Sequence, residues 1–146
     1  MVRNPLLILR AVRQRAVEQA RQELAACLRI ETEAAHQMDA LTEAVRRDQT
    51  AGEHMLEAYQ FVQSFANRLE AIRARRVVAT ADLTAAQASV TEARAVVVAA
   101  RTQAEAVEQL ITEQVTACLA LAESKAQHEM DDIARAARAV HRRERI

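Results

Sequence analysis

A chain of 146 residues with one glycine, one proline and 2% aromatic side chains has neither the turn residues nor the strand formers of a sheet protein. Its apolar fraction of 51% is rich in alanine, which makes good helix but buries little area and so excludes a thick core. Twenty basic residues balance 20 acidic ones, and no aromatic residues are interleaved with the basic ones, so no nucleic acid partner is expected. What remains is an all-α chain with very few turns.

Asn4-Pro5 reads as a helix start, with asparagine as the N-cap and proline at the first helical position. The run Pro5-Leu6-Leu7-Ile8-Leu9 is followed at once by Arg10, so it is too short for a secretion signal or a membrane span. The first helix then carries Leu6, Leu9, Ala16, Ala20, Leu24, Cys27, Ala34, Met38, Leu41 and Val45 on one face, interrupted by Arg13 and Glu31. Cys27 and Cys118 lack CxxC spacing and read as small apolar residues of a reducing cytosol.

The signals change at Arg46-Arg47-Asp48-Gln49-Thr50-Ala51-Gly52-Glu53, which holds the only glycine behind two arginines. The reading is one coiled-coil hairpin over residues 1–146: a helix over about 5–48, a turn over about 49–53 and a long helix over about 53–143. A competing turn lies at Val78–Asp82, near the chain midpoint; Cys27 and Cys118 are equidistant from a centre near residue 72, so a symmetric hairpin would place them level.

The long helix carries the stripe Val62, Phe65, Leu69, Ile72, Arg76, Ala79, Leu83, Ala86, Val90, Ala93, Val97, Ala100, Ala104, Val107, Ile111, Gln114, Cys118 and Leu121. Steps of three and four alternate without a slip, which is the seam of a coiled coil. The fold expected is therefore a long antiparallel two-helix coiled-coil hairpin. A helix starting at Pro5 and ending near Asp48 covers only the first half of the longer one, so the far end keeps an apolar stripe for a partner protein. Past Leu121 the phase shifts to Met130, Ile133, Ala137 and Val140, a stutter that locally unwinds a supercoil.

Both ends are basic. Arg3, Arg10, Arg13, Arg15 and Arg21 face a lone Glu18 at the start, and Arg135, Arg138, Arg142, Arg143 and Arg145 accompany Glu144 at the finish. This reads either as a solvated charged face with dipole matching at the helix C-terminus or as a surface for docking onto an acidic protein. Tyr59, Phe61 and Phe65 are all the aromatic residues of the chain and lie within one short stretch. They either plug the hairpin end or form an interaction patch, which would extend from Phe61 and Phe65 to Arg68 and Ile72 at successive turns.

Nothing points to an enzyme. Glu33 and His36 have the Glu-x-x-His spacing of di-iron bundles, but no second such pair exists, and no phosphate loop or Ser/His/Asp set is present. No catalytic residue, metal or cofactor is expected. The basic C-terminal helix lacks the bulky aromatic anchors of a membrane-surface helix, so no direct membrane insertion is expected.

The opening Asn4–Arg13, the segment Gly52–Ile72 with Tyr59-Gln60-Phe61-Val62-Gln63-Ser64-Phe65, and the tail Glu123–Ala134 with Met130-Asp131-Asp132 together resemble the FliJ family of flagellar type III export proteins, in order and in length. The resemblance implies a non-enzymatic cytoplasmic stalk at the flagellar base, peripheral to the cytoplasmic face of the inner membrane and serving motility and chemotaxis. Its partners would be the export ATPase hexamer, the cytoplasmic domain of the export gate membrane protein, and export chaperones. The gate-contact face of the family falls on Phe61, Phe65, Arg68 and Ile72; the family's small and polar positions are Arg68 and Ile72 here. The ATPase-facing ends fall on Arg10, Arg13, Arg138 and Arg142. The stalk of a virulence secretion system and a purely structural homo-oligomer are the alternatives.

Overall fold

The computed structural model describes residues 4–54 and 59–144, and the side chains of 4–52 and 62–142. Two helices, α1 (Pro5–His54) and α2 (Tyr59–Glu144), form an all-α hairpin. Asn4 caps α1 as its sequence position predicts: Leu6 N–H donates to Asn4 Oδ1 at 3.1 Å and Leu7 N–H to the Asn4 carbonyl at 3.1 Å. Threonines within both helices donate their hydroxyls to the carbonyl four residues back, as Thr42 does to Met38 at 2.9 Å and Thr84 to Thr80 at 2.9 Å. Their polar groups are thereby satisfied without leaving the helix.

The chain divides into two compact units, residues 15–101 and residues 1–14 with 102–146. In the first, the interhelical contacts run antiparallel: Gly52 meets Phe65, Asp48 meets Arg68 and Met38 meets Thr80. The core here is a single seam. Ala20 and Ala34 from α1 are buried with Ile72, Ala79, Ala86, Val90 and Val97 from α2. Val17, Leu24, Cys27, Met38, Leu41, Val45, Phe65, Leu69, Leu83, Ala93 and Ala100 are half-buried around them. Among the described residues no side chain is wholly sequestered, as expected where small alanines let two helices approach but no third layer exists.

The second unit is also antiparallel, with contacts of different chemistry. Asn4 Nδ2 donates to Gln114 Oε1 at 3.3 Å, Arg10 lies 3.6 Å from Glu108, and Arg13 Nη1 donates to Gln103 Oε1 at 2.6 Å. Beneath these polar pairs Val107 is buried, and Leu6, Ala104 and Ile111 are half-buried.

Several expectations need correction. Residues 49–53, read as the turn, are helical, and Gly52 does not adopt a positive φ. The glycine serves packing instead: a Cβ at this position would lie 2.6 Å from Phe65 Cζ, so its bare backbone seats the aromatic ring. Glu43 holds the last turns of α1 together by accepting from Arg46 at 2.7 and 2.9 Å and from Arg47 at 3.2 Å. Residues 78–82, the competing turn, are continuous helix, with Thr80 against Met38. On α2, Val62 and Arg76 are exposed, so the seam runs from Phe65 with one gap. It leaves cover after Ile111: Gln114, Cys118 and Leu121 are exposed, because Asn4, next to the first residue of α1, already stands against Gln114. On α1, Leu9 and Ala16 are exposed, and Arg13, Val17 and Glu31 take the inward places.

Candidate interaction surfaces

A chain without an enclosed core offers its outer faces. The described surface of residues 15–101 carries shallow furrows open to solvent. One is lined by Leu28, Arg29, Thr32, Glu33 and His36 and another by Leu41, Ala74, Arg75, Val78 and Asp82. Glu33 and His36 thus flank an open groove. Among the described residues no group of His, Cys, Asp and Glu is arranged to hold a metal ion, and no helix is long and apolar enough to cross a membrane.

The expected aromatic patch separates into members with different surroundings. Ile72 is buried, 9% exposed, and belongs to the seam. Its place in the 3–4 alternation directs it at α1, so it supports the helix pair from within. Phe65 is half-buried against Gly52. Arg68 stands out, 71% exposed, with its Nε 3.0 Å from Oδ2 of Asp48, a side chain only 14% exposed. The pair is close enough for charge attraction but not aligned as a hydrogen bond, so this oxygen of Asp48 is buried without a hydrogen-bond donor. The arginine's attraction offsets part of the cost of burying that carboxylate. The side chain of Phe61 lies outside the described residues.

The four terminal arginines also divide. Arg10 and Arg13 lie along the seam of their unit and engage Glu108 and Gln103. Arg138 and Arg142 are exposed on α2, well past the last covered position. Among the described residues, the same unit carries most of the exposed large apolar side chains: Leu110, Val115, Leu119, Leu121, Met130, Ile133 and Val140 on α2, with Leu7, Ile8, Leu9 and Val12 on α1. Such exposed aliphatics on one unit are candidates for an interaction surface.

Among the described residues the Glu43–Arg46 pair stands apart from these surfaces. The Glu43 carboxylate is held down to about 2, chiefly by its hydrogen bond from Arg46; desolvation opposes this, and the hydrogen bond from Arg47 adds to the lowering. The same contact raises the Arg46 guanidinium. This fixes the end of α1 and has no bearing on a reaction.

A family model described as Flagellar FliJ protein matches residues 2–145. The chain belongs to the FliJ family. It is a flagellar protein-export component with a helical coiled-coil fold. No curated protein and no solved structure gives a significant match.

The reading of single residues missed two FliJ-chain features that the packing reveals. Asp48 and Gly52 continue the inward 3–4 spacing of α1 after Leu41 and Val45, and the half-buried Arg13 precedes Val17 in the same spacing. The signal was present as spacing, but polar residues and a glycine concealed it from a search for apolar ones.

Proposed function

We propose that this FliJ-family chain is the coiled-coil stalk of the flagellar export apparatus, coupling the export ATPase ring to the export gate and assisting export chaperones. The observation that carries this reading is the uncovered far end of α2, where Val115, Leu119, Met130, Ile133 and Val140 are all more than half exposed beside Arg138 and Arg142. An apolar helix with a basic opposite face suits insertion into an acidic-rimmed ring, where the charge steers and the aliphatic face holds. Arg10 and Arg13 add to the basic rim from α1, where Glu108 offsets the charge of Arg10 and the neutral Gln103 accepts a hydrogen bond from Arg13.

The gate contact falls at the other compact unit, on Phe61, Phe65 and the exposed Arg68, with Ile72 supporting them from the seam. The protein then acts in the cytoplasm, peripheral to the inner membrane at the flagellar base. The family match favours the flagellar over the virulence system.

The test is co-purification of the full chain with the flagellar export ATPase and measurement of ATP hydrolysis with and without it. Binding and stimulation by the native chain, both lost in the double variant Arg138→Glu with Arg142→Glu while helicity is unchanged, is the expected result. Absence of binding by the native chain refutes the stalk reading.

A further inference from the structure

The exposed stripe at the end of α2 has an internal symmetry that the covered seam lacks. From Val115 the apolar positions are Val115, Leu119, Ala122, Ala126, Met130, Ile133, Ala137 and Val140, all exposed. The steps include successive fours, so the average rises from the 3.5 of the covered seam to about 3.6, the period of a straight helix. The stripe therefore runs straight along one side of α2 and does not wind around it.

Large and small residues are distributed along it in a particular order. Turn a second copy of the stripe end for end about a point beside Gln127, and Val115 meets Val140, Leu119 meets Ala137, Ala122 meets Ile133 and Ala126 meets Met130. Each large side chain except the terminal valines then faces an alanine. This is the condition for two helices to interlock at close approach without voids. The same rotation brings Lys125 beside the partner's Glu129, and Glu129 beside the partner's Lys125, both on one margin of the stripe. Like charges are absent from these two places. The remaining basic residues Arg135, Arg138 and Arg142 point away from the stripe, on the opposite side of the helix, so the rotation does not force them together.

We infer that the occupant of this face, when the chain is alone, is a second copy of the chain, paired antiparallel and isologously through residues 115–140 with reciprocal Lys125–Glu129 contacts. Such a contact is closed, since each copy uses the same patch and leaves none to recruit a third. A helix face about 37 Å long and about 10–12 Å across, doubled, removes on the order of 1,000 Å² from water, the lower bound for a specific interface. An interface of this size falls among the weak, transient contacts, so the dimer is reversible and can be exchanged for another partner on the same face.

Sedimentation equilibrium of the full chain over about 1–200 µM tests this. The expected result is a monomer–dimer equilibrium with no higher species. Leu119→Glu or Ile133→Glu should weaken it at least about tenfold, while circular dichroism shows unchanged helicity, since both residues lie outside the seam. Lys125→Glu alone, or Glu129→Lys alone, sets like charges against each other at both margins and should weaken self-association about three- to tenfold. An equimolar mixture of these two variants should restore wild-type association, because each then faces its opposite. A chain that stays monomeric to the highest concentration overturns the inference, and so does a dimer indifferent to Leu119→Glu or a mixture that fails to recover. These measurements use the chain by itself, so they stand or fall separately from binding to the ATPase.

Discussion

Replacing Gly52 by alanine sets two effects of similar size against each other. Alanine inside a helix is favoured over glycine by about 1 kcal/mol, and residue 52 is helical without a positive φ, so by propensity alone the change stabilises. The added Cβ, however, would lie 2.6 Å from Phe65 Cζ, 3.0 Å from Cε1 and 3.1 Å from Cε2. Nothing tolerates that spacing, so the ring must leave its seat. Full burial of a phenylalanine is worth roughly 1.5–3 kcal/mol, and half-buried Phe65 therefore forfeits ~1 kcal/mol. A ring pushed off its rotamer costs about 0.5–1.5 kcal/mol more. The net is a destabilisation of roughly 0.5–1.5 kcal/mol. The informative experiment is the double-mutant cycle in urea, followed by circular dichroism at 222 nm. In a Phe65→Ala background the obstacle is gone, and Gly52→Ala should change sign and stabilise by about 1 kcal/mol. The two effects should differ by about 2 kcal/mol. If Gly52→Ala stabilises equally in both backgrounds, the ring does not rest on the glycine and the account of this end of the hairpin is wrong.

Neighbouring valines give a second measurement. Val97 is 6% exposed and Val98 is 63% exposed. Both gain the same helix propensity on truncation to alanine, yet Val97→Ala should cost roughly 1–3 kcal/mol and Val98→Ala less than about 0.5 kcal/mol by urea unfolding; equal costs would mean the seam is misphased. A third concerns Glu43, whose carboxyl is lowered from 4.5 to about 2 by Arg46 and then Arg47. Because the folded value lies below the unfolded one, the contact's contribution to stability is complete above pH 4.5 and is lost as pH falls from there through about 2. Carboxyl-carbon NMR should place the Glu43 midpoint far below the other glutamates, and Arg46→Ala with Arg47→Ala should return it to the ordinary range; a midpoint already ordinary in the native chain would remove the bridge.

Much of α2 was legible because its inward residues are apolar. Every position from Ala79 to Ile111 on the predicted stripe is buried or half-buried, and alternation of three and four steps has only one phase that keeps polar residues out. On α1 the same rule was ambiguous. Ala16 and Val17 are adjacent and both apolar, and only Val17 lies on the inward line; Arg13, Glu31 and Asp48 occupy inward places that a hydrophobic count rejects. Long arginine side chains can lie along a seam and still reach polar partners at its margin, as Arg13 does with Gln103. Gly52 was misread for a related reason. Glycine ends helices and also permits close approach, and only the position of Phe65 on the facing helix decides between them. The aromatic patch shows the same limit: Phe65, Arg68 and Ile72 are near in sequence, but Ile72 turns inward while Arg68 turns out to Asp48.

The change of period at Ile111 bears on whether the uncovered end of α2 is a surplus or a device. A leftover length of coiled-coil helix would either keep its 3.5 spacing or lose apolar residues from the stripe, since exposed aliphatics gain nothing in water. Continuing the covered phase does lead to polar positions, Gln114, Lys125, His128 and Asp132, interrupted by Cys118 and Leu121. Meanwhile a new and wholly apolar line begins at Val115 and holds to Val140 at the straight-helix spacing. Both changes fall where Asn4 meets Gln114 and α1 ceases to cover α2. Apolar residues are thus withdrawn from the side that α1 would have occupied and supplied on another side that α1 never reaches. That exchange has a physical use only if something other than α1 covers the new line. It separates the part of α2 built to hold the hairpin from the part built to be held.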